Sequence, residues 1–141
     1  MSLGDFLEDA VNRSPEKVFM EISGRSFTYG EFHHAAMRTA GMFQAMGVSK
    51  GDRVCLFMPN CAEYLFCWFG LSAFGAIGVP VNTAYKRDET AFILNDADAC
   101  ALVAHESLMP VAQEAVGQAP GVTHKLLVGA SQQPPAVKGR L

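Results

Sequence analysis

Four cysteines are the most reactive side chains in this chain of 141 residues, and their spacing fits neither a metal site nor a redox pair. Zinc sites group cysteines two to four residues apart, and redox pairs follow the C-x-x-C pattern. Neither pattern occurs here, and three of the four thiols lie inside apolar runs. We therefore interpret all four as reduced thiols that act as small hydrophobic groups: Cys55, Cys61, Cys67 and Cys100.

The histidines and carboxylates also lack a catalytic arrangement. His33 and His34 are adjacent on a predicted helix, where neighbouring side chains point about 100° apart, so their spacing does not favour one shared metal ion. We expect them to be ordinary surface or half-buried histidines. The carboxylate pairs fall at the ends of predicted helices and are interpreted as helix-end charges: Asp88/Glu89 and Asp96/Asp98.

No phosphate-binding motif or nucleophile elbow is predicted from the sequence. A dinucleotide fingerprint G-x-G-x-x-G and a phosphate loop G-x-x-x-x-G-K-[ST] are missing. No serine is held in a G-x-S-x-G nucleophile elbow, because Gly47–Gly51 (GVSKG) is more simply interpreted as a helix stop. From residue chemistry alone, the sequence predicts a fold without a visible active site.

The elements that would position such residues are organised around residues 51–83. Two short apolar runs, Val54–Met58 and Ile77–Val81, flank a helix candidate, Ala62–Phe74. Two strands joined by a helix of that length predict a βαβ unit, whose parallel strands need a long crossover. We expect Asn60 to cap the helix, with Glu63 as the second half of a capping box.

The central helix is apolar nearly all round, so it must be buried in a core or in a membrane. Tyr64–Val81 is about the minimum length for a bilayer span, which leaves that alternative open. Several helix-breaking residues favour the buried crossover helix instead: Gly70, Gly75, Gly78 and Pro80. We accordingly predict no membrane span, and we expect Trp68 to be buried near Phe66 and Leu71.

The remaining pattern extends this unit in both directions. Before it we predict a helix over Asp5–Asn12, a hairpin over Val18–Thr28, and a helix capped by Thr28 and Glu31 that ends at Gly47. After it we predict alternating helices and strands: Asp88–Asn95, Cys100–Ala104, Ser107–Gln118 and Lys125–Val128. The fold class is thus α/β, an open parallel sheet with βαβ crossovers preceded by a helix–hairpin–helix segment. Residues 1–128 form the predicted domain, and residues 129–141 are predicted to be a linker or frayed tail.

The amino-acid composition limits where the protein is expected to be located and which partners it is expected to bind. Half of the residues are hydrophobic, 18% are charged and the net charge is −3, which gives no electrostatic footprint for nucleic acid. The acidic start resembles no signal peptide, and we expect a cytoplasmic location. So few charges on a small domain also predict self-association through exposed apolar surface.

Four short motifs in a fixed order together resemble one family. They are Phe27–Phe32 (FTYGEF), Gly51–Val54 (GDRV), Met58–Asn60 (MPN) with Glu63, and Gly75–Asn82 (GAIGVPVN). The series resembles the opening of the adenylate-forming acyl-CoA synthetases, from about Leu3 to Val128. Phe66–Leu71 (FCWFGL) further resembles the carnitine/crotonobetaine–CoA ligase branch.

The resemblance implies a two-step reaction for a parent enzyme that uses ATP, Mg²⁺ and coenzyme A. A carboxylic acid attacks the α-phosphate of ATP to give an acyl-adenylate, and the thiol of coenzyme A then displaces AMP. The family handles the phosphates with a Ser/Thr/Gly-rich loop ending in Pro-Lys, a later acidic residue and a lysine in a mobile C-terminal domain. None of these occurs in the 141 residues, so the resemblance carries no catalytic residue onto this chain. We expect a truncated or excised piece that is inactive alone, with no cofactor bound.

One binding role follows from the resemblance. In some relatives a basic residue just past the strand that ends in Val81 and Asn82 contacts the phosphate of coenzyme A. Ala84 aligns best with that position, and Lys86 and Arg87 follow closely. We assign Lys86 and Arg87 as candidates for this contact, against the alternative of solvated charges before a helix. A different class of function also stays open, a free-standing flavodoxin-like binding module without catalysis.

Overall fold

The structure is a computed structural model that describes residues 3–22, 24–129 and 139–140. The chain begins with α1 (Leu3–Arg13), the strands β1 (Val18–Ile22) and β2 (Arg25–Thr28), and α2 (Tyr29–Ala45). It continues with β3 (Arg53–Phe57), α3 (Ala62–Ala73), β4 (Ile77–Pro80), α4 (Arg87–Asp96) and β5 (Ala101–His105). A 3₁₀ turn (Glu106–Leu108), α5 (Met109–Val116), β6 (His124–Val128) and β7 (Gly139–Arg140) complete it.

The main sheet has the strand order β4-β3-β5-β6-β7. The first four strands in that order run parallel, which confirms the predicted α/β class and its crossovers. Strand β7 pairs antiparallel with β6 at the edge, and the sequence pattern did not predict it. The rest of the predicted tail, residues 130–138 and 141, lies outside the described residues, so the division at residue 128 stays a prediction.

Successive side chains of the central strands point to opposite faces of the sheet, so they contribute to two separate cores. Val54 and Leu56 face the cluster that includes Cys67 and Leu71 of α3. Cys55 and Phe57 face the opposite cluster, which contains residues of α4 and α5. A third core joins α1, the β1–β2 hairpin, α2 and α3. Helix α3 is therefore covered on two sides, which explains its apolar sequence.

The start of α2 and the ends of α2 and α3 have the capping residues that the sequence predicts. Thr28 Oγ1 accepts a hydrogen bond from the Glu31 N–H, and the Glu31 carboxylate accepts one from the Thr28 N–H, so the predicted capping box is confirmed. Gly47 has φ +100° just after α2, and Gly75 has φ +85° just after α3. A residue with a Cβ is strained in that conformation, which is why glycine ends both helices.

Two predictions for α3 are wrong. Its N-cap is Cys61, which makes no side-chain capping bond, and Glu63 is buried instead of closing a box with Asn60. Trp68 is only partly buried, and its ring stacks on that of Tyr64 with 6.2 Å between the ring centroids. It packs against the core that contains Leu71, as predicted, whereas Phe66 belongs to the third core. Gly78 lies inside β4 rather than at the helix end, under the Trp68 ring. Among the described helices, none combines the length and hydropathy that a membrane crossing requires.

Candidate functional site

The carboxyl ends of the parallel strands meet at one edge of the sheet, and open α/β sheets bind ligands beyond that edge. The loops there follow β3, β4 and β5. The chain moves outward from β3 to β4 and then returns to the other side of β3 to form β5. Such a reversal opens a crevice between neighbouring loops, so this edge is the candidate functional site.

The loop after β4 is an ordered turn. Asn82 Oδ1 accepts the Ala84 N–H at 2.8 Å, and the Asn82 carbonyl accepts the Tyr85 N–H at 3.1 Å. The amide oxygen of Asn82 is thereby engaged in shaping the backbone. The turn leads directly to the N-terminus of α4, where the two candidate cations lie.

Lys86 is the N-cap of α4, and Arg87 is its first residue. The Glu89 carboxylate accepts the Lys86 N–H at 3.4 Å, which satisfies one donor of the first turn. Arg87 Nε donates to Asp88 Oδ1 at 2.9 Å, and this hydrogen bond raises the pKa of Arg87, so the guanidinium stays cationic. Both side chains are exposed.

The cations border a shallow cleft of about 250 Å³ between α4 and α5. Its lining residues are Lys86, Arg87, Asp88, Glu89, Val111 and Glu114. Two positive and three negative side chains therefore share this cleft. A phosphate would gain from the cations and from the partial positive charge of the helix N-terminus, but it would compete with Asp88 for Arg87.

The loop after β5 holds a histidine in a fixed tautomer. His105 Nδ1 accepts the Ser107 N–H at 3.1 Å and lies 2.7 Å from Ser107 Oγ. Since Nδ1 accepts, a neutral ring carries its proton on Nε2. The arrangement fixes the ring at the edge of the sheet, where it acts as the cap of the 3₁₀ turn.

A partly buried ion pair that the sequence did not predict joins α3 to the hairpin. Arg25 Nη2 lies 3.0 Å from Glu63 Oε2, and Nη1 lies 3.4 Å from Oε1. Only 6% of the Glu63 side chain is exposed, against 31% for Arg25. The guanidinium also lies 5.4 Å from the centre of the Phe27 ring. No local signal links residues 38 positions apart, so only the tertiary structure reveals the pair.

The cysteines are free thiols in the structure. Burial raises the pKa of the Cys55 thiol to about 12, and it also raises the pKa of the Cys67 thiol. Neutral thiols are poor nucleophiles and poor metal ligands. Within residues 3–22, 24–129 and 139–140, no three Cys, His, Asp or Glu side chains group closely enough to hold a metal ion.

Comparison with known proteins places this arrangement in one family. Residues 7–139 match the family model described as AMP-binding enzyme. A crotonobetaine/carnitine–CoA ligase of Escherichia coli is 43% identical over 88 residues, which are 62% of this chain and 17% of that relative. The chain thus matches only a small part of the length of this curated relative.

Solved structures agree in fold. An anthranilate CoA ligase in complex with anthranoyl-AMP has a TM-score of 0.85 and 27% identity, covering 92% of this chain and 25% of the other. The N-terminal domain of FACL13 from Mycobacterium tuberculosis has a TM-score of 0.85 and 27% identity, covering 99% of this chain and 38% of the other. The chain belongs to the family of AMP-binding enzymes and has the fold found in the N-terminal domain of acyl-CoA ligases.

Proposed function

We propose that this chain is the N-terminal portion of the adenylate-forming domain of an ATP-dependent acid–CoA ligase. The observation that carries the proposal is the 43% identity with a crotonobetaine/carnitine–CoA ligase over 88 residues. The parent enzyme would activate a small carboxylic acid with ATP and Mg²⁺ and transfer the acyl group to coenzyme A. The anthranoyl-AMP in a structural relative is an acyl-adenylate, which supports this route. The proposal includes a cytoplasmic location, because ATP and coenzyme A are supplied there.

Within that reaction, Lys86 and Arg87 are proposed to contact the phosphate of coenzyme A. Their position at the start of α4, next to the ligand-binding edge of the sheet, supports this role. Asp88 opposes it because it already pairs with Arg87. That exposed pair contributes little to stability, so a doubly charged phosphate can displace it.

The isolated chain is proposed to be inactive. The sequence contains neither a G-x-x-x-x-G-K-[ST] phosphate loop nor a Ser/Thr/Gly-rich loop that ends in Pro-Lys. Phosphoryl chemistry needs preorganised donors and a cation around the transferring group. Pyrophosphate release by the chain alone, above a no-enzyme control and with acids from acetate to long-chain fatty acids, would refute this part.

A chimera tests the function itself. Residues 7–139, the span of the family match, replace the structurally equivalent segment of the Escherichia coli crotonobetaine/carnitine–CoA ligase, and acyl-CoA formation from crotonobetaine or carnitine is measured. We expect activity, whereas the host ligase lacking the segment should have none. A chimera that is folded by circular dichroism but inactive would support the free-standing flavodoxin-like module instead.

The same chimera tests the two cations. Lys86→Ala should raise the KM for coenzyme A several-fold and leave the KM for ATP unchanged, since the charge would contact only the thiol substrate. Lys17→Ala, which removes an exposed charge just before the hairpin, is the matched control and should change neither. Equal KM values for coenzyme A in the parent chimera and the Lys86→Ala variant would remove the assignment.

A further inference from the structure

The outward face of α4 exposes a large aromatic side chain beside a cleft. Phe92 is 65% exposed, more than Phe6, Val18 or Ile77, the other large hydrophobic side chains that the described part of the chain exposes. Tyr85, Asp88, Glu89, Phe92 and Ile93 line a cleft of about 450 Å³ along this helix. We call these five residues the α4 face. Phe92 lies beside Tyr85 and Ile93 in this cleft, and contiguous apolar surface of this kind often marks a contact site.

Carboxylates surround the aromatic ring. Asp88, Phe92 and Asp96 stand four residues apart and so form one row along the helix, and Glu89 lies beside that row. All three acidic side chains are exposed. An apolar anchor point in the middle of an acidic row requires a partner with the opposite charge and an apolar side chain of its own.

A second copy of the chain does not meet that requirement. Antiparallel pairing of two α4 helices about a two-fold axis at Phe92 would bring Asp88 of each copy next to Asp96 of the other. Both contacts join like charges, and they flank the ring that would drive the association. The charge row therefore disfavours a homodimer through this face.

We propose that the α4 face docks a cationic helical segment of another protein, with one large apolar side chain between basic residues spaced four apart. The apolar side chain would fill the cleft next to Phe92, and the basic residues would meet Asp88 and Asp96, as when an amphipathic helix binds a groove. Arg87 weakens this contact because it already occupies Asp88 Oδ1. The proposal does not depend on the ligase function.

A synthetic peptide serves as the probe. It is a helical peptide with one leucine, a lysine four positions before it and a lysine four positions after it, and it carries a fluorescent label. Its anisotropy is followed as the 141-residue chain is added. We expect saturable binding that weakens as salt increases.

Variants on the surface then locate the site. Phe92→Ser should weaken binding about ten-fold or more, since an aromatic anchor dominates such contacts. Phe6→Ser removes a comparably exposed phenylalanine from α1 and should change nothing. Asp88→Lys with Asp96→Lys should abolish binding of the lysine peptide and restore binding of a peptide with glutamates at those two positions.

Each remaining result overturns the proposal. The proposal is wrong if the wild-type chain does not bind the lysine peptide at high micromolar concentration, or if Phe92→Ser binds it as tightly as the wild-type chain does. It is also wrong if the exchange of Asp88 and Asp96 for lysine does not reverse the preference between the two peptides. A chain that is dimeric in sedimentation and becomes monomeric with Phe92→Ser would show that a second copy occupies the face, contrary to the proposal.

Discussion

Gly70 lies where α3 crosses α2, and a methyl group there should destabilise the fold. A Cβ at this position would lie 2.8 Å from the Ala36 carbonyl oxygen and 3.0 Å from the Ala40 nitrogen. Both are backbone atoms of α2, so no side chain can rotate away. Ordinary contact begins near 3.4 Å, and the helices must therefore separate by roughly 0.6 Å.

Two opposing effects set the magnitude for Gly70→Ala. Alanine improves helix propensity by about 1 kcal/mol over glycine. Overpacking a tight core contact costs about 1–3 kcal/mol, and the upper part of that range applies because the obstructing atoms are backbone. We expect the free energy of unfolding to fall by about 1–2 kcal/mol, measured by urea denaturation monitored by circular dichroism.

Gly41→Ala is the matched control. Gly41 lies in the C-terminal half of α2, is exposed, and has no atom within 4 Å of an added Cβ. Only the higher helix propensity of alanine acts at this position, so the free energy of unfolding of Gly41→Ala should rise by about 0.5–1 kcal/mol. The two substitutions should therefore have opposite signs. A Gly70→Ala variant as stable as Gly41→Ala would show that α2 and α3 are not in such close contact.

Three further predictions test other contacts. Arg25→Ala should lower the free energy of unfolding by about 2–4 kcal/mol, because the Glu63 carboxylate stays buried without its cation. The double variant Arg25→Ala with Glu63→Leu should recover most of that loss. Wild-type stability of Arg25→Ala alone would contradict the prediction. The free energy of unfolding should fall as the pH rises from about 9 to about 12, because the Cys55 thiol loses its proton near pH 9 in the unfolded chain and near pH 12 in the folded chain. Denaturation at several pH values measures the slope of this free energy against pH, and the slope should be shallower in Cys55→Ala. An unchanged slope in that variant would contradict the prediction. The chain should self-associate in sedimentation equilibrium at micromolar concentration and bind a dye for apolar surface, and Ile77→Lys on the edge strand β4 should favour the monomer; a strictly monomeric wild-type chain would contradict the prediction.

The fold was predictable because its signals are local. Apolar runs of strand length, helix-length inserts and glycine or capping residues at their ends define each βαβ unit within about 30 residues. The predicted strand Val54–Met58 is found as Arg53–Phe57, and the predicted helix Asp88–Asn95 as Arg87–Asp96. These shifts of one residue are ordinary for element boundaries.

The wrong predictions concern residues whose role is set at a distance. Glu63 stands in a capping-box position, but the hairpin brings Arg25 to it, and the guanidinium offers the carboxylate two hydrogen-bond donors and an opposite charge. Trp68 belongs to an apolar helix, but the covering elements contact its neighbours Phe66 and Cys67 more closely. Hydrophobic pattern identifies a buried helix, but it does not show which side is covered best.

The sequence points to the loops at the carboxyl edge of the sheet as the candidate site, but it cannot show how neighbouring charges pair. The sequence shows Lys86 and Arg87 as adjacent cations at the start of a predicted helix, whereas the ion pair between Arg87 and Asp88 is a feature of the folded structure. The Arg87–Asp88 pair joins the proposed coenzyme A site to the acidic row of the α4 face. Substitutions in this pair should therefore affect the two proposed binding activities in opposite directions. Arg87→Ala should weaken coenzyme A binding in the chimera and strengthen binding of the lysine peptide to the chain, since it removes a cation and frees Asp88. Asp88→Asn should do the reverse in both assays. If either variant changed both affinities in the same direction, the charge of this turn would not control them, and a general disturbance of α4 would explain the result better.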